Sequence, residues 1–317
     1  MLGPSFRFAT EVRGEGSLDD AGTWTGNLVL KGYGDPTLTS MRLKRLVAKL
    51  RRLGIRHVTG SVVGDESFFD KERTVAGWKR EFYLWESPPL SALVVDRGSV
   101  RTGISRTPAY TAAKTFDALL KQDGIAVDGA PKALTSGGKV LASIVSQPLG
   151  EILHAVDADS DNFTAELLLK ELGAVAGVDG SSAAGAAVVR RVLGDKGVPL
   201  TGVRIVDGSG LSSLDRLTPQ AIAGILEHAW GDQSLQPYLM RAMAVAGYSG
   251  TLRWRLAGPR TRGVVIGKTG TTNLASVLSG YVRGRYAFVV IQNGRPVPTW
   301  SARAAQDRFV TLLARAG

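Results

Sequence analysis

Apolar residues in the first third of the chain fall at alternate positions. Trp24, Leu28 and Leu30 do so over 23–30, and Val58 and Val62 over 57–63. That period predicts half-buried strands. A short apolar run, 91–95, reads the same way. Gly34-Asp-Pro36 and Ser87-Pro-Pro89 punctuate these runs as turns. One helix interrupts them: Thr39 or Ser40 can cap it, and Leu43, Leu46, Val47 and Leu50 share a face. A second helix in 106–135 carries Ala112, Phe116, Leu119 and Leu120 inward, ahead of a strand near 125–127.

From about residue 140 the period changes to that of helices, over 149–156, 162–176, 182–194, 218–229 and 235–244. Strands follow at 264–269, 275–282 and 286–292. An amphipathic helix over 301–316, with Ala304, Phe309, Leu312 and Leu313 inward, ends the chain. The pattern predicts a β-rich region over 1–139 and an α/β region over 140–317, the latter closing with an antiparallel sheet edge packed by a terminal helix. A length of 317 residues also favours two domains over one core.

Composition narrows the chemistry. With no cysteine, disulfides, thiolate nucleophiles and cysteine-ligated metals are excluded together. His57, His154 and His228 lie too far apart for a paired zinc motif. The net charge of +11 suits nucleic acid, anionic lipid or an anionic cell-wall polymer, and equally a plain role in solubility. No basic stripe, zinc-finger spacing or RNA-binding aromatic signature accompanies it, so nucleic acid is not expected. There is no apolar run long enough for a membrane helix, and the first residues lack the basic and apolar regions of a signal peptide.

Two tripeptides carry the candidate chemistry. Lys268-Thr269-Gly270 first suggests a phosphate-binding loop, but Arg262 stands where that loop needs a glycine, and a strand rather than a helix follows. On an exposed strand the same residues offer a fixed cation, a hydroxyl donor and a bare backbone. Together these would hold a peptide carboxylate against a strand edge; the plain alternative is a surface hairpin bearing a lysine. Ser160-Asp161-Asn162 opens a strong helix, where Ser160 or Asp161 could do no more than cap it.

Ser-Asp-Asn followed by Lys-Thr-Gly, in that order, resembles two of the three motifs of the serine penicillin-recognising proteins. The blocks starting at Gly32, Gly64, Ser91, Asp207, Ala246 and Gly267 resemble the D-alanyl-D-alanine carboxypeptidase/endopeptidase family, the class C low-molecular-mass penicillin-binding proteins. The resemblance implies an α/β (α+β) penicillin-binding, β-lactamase-like transpeptidase domain with a β-rich accessory module inserted. It also implies a serine-type hydrolase of peptidoglycan stem peptides ending in D-Ala-D-Ala, extracytoplasmic, inhibited by β-lactams, with no cofactor or metal. Carried over by residue, Ser160 would relay protons to the leaving amine and Asn162 would hold the substrate amide. Lys268 and Thr269, beside Gly270, would bind the terminal carboxylate. The Thr271 N–H would be an oxyanion donor.

The third motif, Ser-x-x-Lys at a helix start, is expected upstream of Met1, so the domain reads as N-terminally truncated. Within the chain the spacing occurs once, at Ser136-Gly-Gly-Lys139, whose two glycines are poor helix formers. Thr111-Ala-Ala-Lys114 has the wrong nucleophile. Asp207-Gly-Ser209 lacks the first glycine of a nucleophile elbow and reads as a structural loop. Three readings follow: an enzyme lacking its nucleophile segment, a non-catalytic peptide-binding relative, or a β-lactamase relative, against which the accessory module counts. Truncation would leave an apolar groove exposed on 140–317 and a marginally stable product.

Overall fold

The computed structural model describes residues 1–316, in two compact units. The first comprises Met1, Arg7–Gln147 and Glu166–Gly185. Strands β1 (Ala9–Leu18) and β2 (Thr23–Gly32) pair antiparallel from Thr10↔Gly32 to Leu18↔Trp24. The other edge of β2 carries two short parallel strands in succession, β3 (His57–Val58) and β4 (Val62–Asp65). The alternating segment 57–63 is thus two strands, not one.

Parallel pairing requires crossovers. Helix α1 (Ser40–Arg52) supplies the one between β2 and β3. After β4 come the helical turn α2 (Phe82–Trp85) and the hairpin β5 (Ser99–Val100) and β6 (Gly103–Ile104). Helix α3 (Pro108–Gln122) then leads to β7 (Ala126–Val127), beside β3, and β8 (Lys132–Ala133), beside β4. Strand β9 (Lys139–Val145) closes the sheet against β1.

Thr39 caps α1, its hydroxyl accepting the Arg42 N–H at 3.3 Å. Leu43, Leu46, Val47 and Leu50 are buried, as their period predicts, in one core with Val12, Trp24, Leu28 and Phe116. Each buried leucine contributes roughly 1.5–3 kcal/mol. Gly14 is required here, since a Cβ would lie 2.3 Å from the Trp24 ring. The apolar run 91–95 is buried but joins no ladder.

Buried and half-buried carboxylates tie the loops of this unit. Asp35 accepts from Arg42 (2.7 Å) and from Thr37. Asp65 accepts from Lys31 at 2.9 Å and from the Ser67 N–H. Glu66 holds Arg73 and Ser91. The blocks at Gly32, Gly64 and Ser91 are therefore polar hubs, with charge-assisted bonds replacing the water that burial removes.

The second unit comprises Leu2–Phe6, Pro148–Ala165 and residues from Ala186 onward. It contains α4 (Leu149–Ala158). Helices α5 (Asn162–Ala176) and α6 (Ser182–Asp195) each have residues in both units. Helices α7 (Pro219–Gly231) and α8 (Gln236–Ala242) precede an antiparallel sheet in the order β10 (Ala244–Val245), β11 (Val265–Thr271), β12 (Ala275–Val282), β13 (Tyr286–Asn293). Helix α9 (Thr299–Ala316) follows.

Alternation assigns the two sheet faces. Val265, Leu278, Val282 and Phe288 form a core with Val310 of α9. Ile266, Tyr281 and Val289 pack with Leu226 of α7 and Met243. Among the described residues β13 has no strand on its outer edge, and Phe309 and Leu312 of α9 are exposed.

Glu171 is buried, one carboxylate oxygen lacks a hydrogen-bond partner, and burial pushes its pKa up to about 8. A raised folded-state pKa gives stability that is complete below about 4.5 and lost as pH rises to about 8. Glu171→Gln should flatten that decline, a difference on the order of a few kcal/mol at pH 8. Urea unfolding at pH 5 and pH 8 measures it; an unchanged pH slope in the variant would contradict the assignment.

Candidate active site

Ser160 stands in the short link between α4 and α5 and adopts φ 60°, a left-handed conformation. That costs a serine on the order of 1–2 kcal/mol, so the surroundings must enforce it. Two contacts do so. The Asp161 N–H donates to the Val156 carbonyl at 3.2 Å. Gly250 lies so close to the end of α4 that a Cβ there would fall 2.1 Å from the Ala158 oxygen.

Capping falls to the neighbour. The Asp161 carboxylate accepts from the Thr164 N–H (3.3 Å) and from its hydroxyl (2.7 Å). The Ser160 hydroxyl is thereby spared for another partner, and the Lys268 Nζ donates to it at 2.7 Å. Asn162 follows as the first residue of α5.

Lys268 belongs to β11. The same Nζ donates to the Thr269 carbonyl at 2.8 Å, so the ammonium is held at two points. Side chains alternate along a strand, which puts Lys268 and Gly270 on the face of Ile266 and Thr269 and Thr271 on the face of Val265. In agreement, the Thr271 hydroxyl accepts from Arg303 of α9 at 3.2 Å.

The edge of the strand matters as much as its faces. Strand β10 pairs β11 only at Ile266 and Gly267. The Ala246 N–H donates to the Val265 carbonyl, so the odd-numbered residues direct their backbone groups toward that edge. Beyond Gly267 no strand of the described residues covers it. Thr269 and Thr271 therefore direct backbone groups along an open edge, the geometry that accepts a peptide as an added strand. Gly270 is not required by packing, since a Cβ there would make only ordinary contact with Val277, at 3.6 Å. Its bareness leaves open the face on which Lys268 stands.

Burial lowers the Lys268 pKa, and the nearby Asp157 raises it in part. Asp157 is itself raised by burial and lowered by Lys268. The two directions describe one coulombic coupling between two partly desolvated groups. Neither Asp157 nor Arg303 carries a motif signal. Asp157 is one helical turn before Ser160, and Arg303 reaches Thr271 only through the packing of α9.

The other candidates are held by contacts of their own. Ser136 is in the first unit, in a loop where its N–H donates to Asp65 and Gly138 takes φ 94°; Lys139 turns onto the Trp24 ring. Thr111 bonds Ser105 at 2.6 Å. Asp207 accepts from the N–H groups of Gly210 and Ser212 and organises its own loop. Beside it, burial and the Asp207 carboxylate push Asp215 up to about 8.

The structure thus brings together an open strand edge, a lysine held at two points and a serine at a helix entry. The D-Ala-D-Ala carboxypeptidase 3 (S13) family model matches residues 1–107 and 99–316. The chain belongs to that family, and so to the serine-type D-Ala-D-Ala carboxypeptidases, which are hydrolases. It is 28% identical to the D-alanyl-D-alanine carboxypeptidase of Actinomadura sp. (strain R39), over 99% of this chain and 74% of that protein. It is 29% identical to carboxypeptidase DacB of Mycolicibacterium smegmatis, over 92% and 68%. The fold matches penicillin-binding protein 4 of Haemophilus influenzae with a TM-score of 0.87 and 23% identity, over 98% of this chain and 86% of that one. The expected fold class is thereby established.

Asp157→Asn should lower the Lys268 pKa further, because it removes the anion that favours the ammonium. Titration of the Lys268 Nζ by NMR reads this directly; an unchanged or raised pKa would contradict the pairing.

Proposed function

We propose that this chain supplies the carboxylate clamp and proton relay of a D-Ala-D-Ala carboxypeptidase/endopeptidase acting on peptidoglycan stem peptides outside the cytoplasm. The observation that carries the reading is the Lys268–Ser160 hydrogen bond beside the open edge of β11. The terminal carboxylate sits at the open edge, met by the Lys268 ammonium from one face of β11 and by the Thr269 hydroxyl from the other, while the peptide backbone lies along Thr269–Thr271. Asn162 holds the substrate amide. The Thr271 N–H donates to the oxyanion as the tetrahedral intermediate forms. Ser160, accepting from Lys268, passes its own hydroxyl proton to the leaving nitrogen and recovers one from the lysine.

We assign the attacking serine to none of residues 1–317. The one Ser-x-x-Lys spacing, Ser136–Lys139, is a glycine-turned loop rather than a helix start, and an activated nucleophile needs its base within hydrogen-bond reach. The same observation favours a second reading, a peptide-binding relative without chemistry. In either case residues 1–139 are proposed as the accessory region and 140–317 as the C-terminal part of the catalytic domain. A β-lactam, which presents a carboxylate beside a reactive amide carbonyl, is expected to occupy the same clamp.

Two measurements test the proposal. The purified chain should take no covalent label from a fluorescent penicillin. It should still bind a peptide ending in D-Ala-D-Ala, and Lys268→Ala should weaken that binding about 10- to 100-fold, the worth of a charge-assisted hydrogen bond. Covalent labelling would overturn the assignment of the nucleophile. Peptide binding unaffected by Lys268→Ala would overturn the clamp.

A further inference from the structure

Charge is distributed unevenly along the chain. Residues 1–240 are balanced, with 27 Lys and Arg against 27 Asp and Glu, so the whole net charge of +11 lies in 241–317. Between Asp232 and Asp307 there is no acidic residue, and every basic residue except Lys268 is arginine.

Part of this charge is gathered on one loop, 247–263, which connects β10 to β11. The loop is tied back on itself. The Gly247 N–H donates to the carbonyls of Leu252 and Arg255, the Thr261 hydroxyl to Leu256 at 2.6 Å, and the Gly263 N–H to Ala246. Arg255 is spent internally on Asp307 at 2.7 Å. Arg253, Arg260 and Arg262 are exposed and, among the described residues, have no carboxylate partner. Arg283, whose N–H bonds the Val264 carbonyl at 3.0 Å, adds a fourth exposed guanidinium at the end of the loop. Two exposed aromatics lie among them, Trp254 (86% exposed) and Tyr248 (60%).

We infer that this loop is a docking surface for a linear phosphodiester polymer without bases, of the polyol phosphate class. Arginine suits permanently charged phosphodiesters: its planar fork bonds phosphate bidentately and its own charge does not titrate. Several guanidiniums on one rigid loop, with no acid nearby, suit a ligand that repeats its charge along a chain. Nucleic acid fits less well, because the aromatic rings are already engaged. Arg253 stacks on Trp254 at 5.2 Å and Arg262 on Tyr248 at 4.9 Å, which leaves at most one face of each ring for a base. A membrane surface fits less well too, since the patch is an irregular loop with its aromatics among arginines, not an amphipathic helix with one apolar face. The surface makes no use of the Lys268 clamp, so it stands or falls apart from the peptide site.

The test is fluorescence anisotropy with end-labelled poly(glycerol phosphate), run beside an oligothymidylate of equal charge and vesicles of phosphatidylglycerol and phosphatidylcholine. The chain should bind the polymer, and more weakly as salt rises. The double variant Arg253→Gln/Arg260→Gln spares Arg262, whose stem packs on Gly247. It should bind about tenfold more weakly, or beyond, at low salt. The charge-matched double variant Arg45→Gln/Arg295→Gln, exposed and outside the loop, should stay within about twofold of the parent. Equal losses in the two variants would overturn the proposal in favour of net charge alone. So would the absence of polymer binding, or tighter binding of the oligonucleotide or the vesicles. Circular dichroism of both variants checks that each retains the fold; were the double variant unfolded, Arg260→Gln alone, on an exposed turn, should still weaken the polymer measurably.

Discussion

The ammonium of Lys268 is the charge around which the site is arranged. It is partly buried, which weakens it as a cation, and it is kept in place by two acceptors and one nearby anion. Each of those partners constrains a different part of the fold. The Thr269 carbonyl is its own strand, so the lysine turns back along the open edge. Ser160 holds a left-handed backbone enforced by packing at the end of α4, and its hydroxyl is spared because Asp161 caps α5. Asp157 ties the electrostatics to the preceding helix. Moving any one of them changes where the charge sits.

The same economy explains why β10 is so short. A longer β10 would pair Lys268–Thr271 and improve the sheet, at the expense of the open edge that the proposed peptide strand needs. The chain instead leaves β10 for the loop 247–263, which returns to start β11. In the other unit the polar residues serve a different end. Buried Asp35 and Asp65 and half-buried Glu66 are acceptors that hold loops, which is why residues that resemble family blocks need not touch substrate.

Much of this was legible in the residues. The period of Leu43, Leu46, Val47 and Leu50 predicted α1, because helix burial repeats where a side chain meets the core. The order of Ser160-Asp161-Asn162 and Lys268-Thr269-Gly270 pointed to one site, and the structure joins Ser160 and Lys268 across 108 positions. What was hidden depends on tertiary contact. The left-handed turn at Ser160 comes from packing at the end of α4. Asp157 and Arg303 enter through helices whose placement no local pattern encodes. The run 91–95 looked like a strand because it is apolar, yet burial without a ladder partner leaves the same mark.

The most direct test of the account is where a peptide ending in D-Ala-D-Ala perturbs the backbone amide spectrum of the ¹⁵N-labelled chain. The largest shifts are expected at the amides of Thr269 and Thr271, on the open edge of β11, with smaller ones at Ser160 and Asn162. Shifts confined to the 247–263 loop or to the first unit, with β11 unmoved, would contradict it.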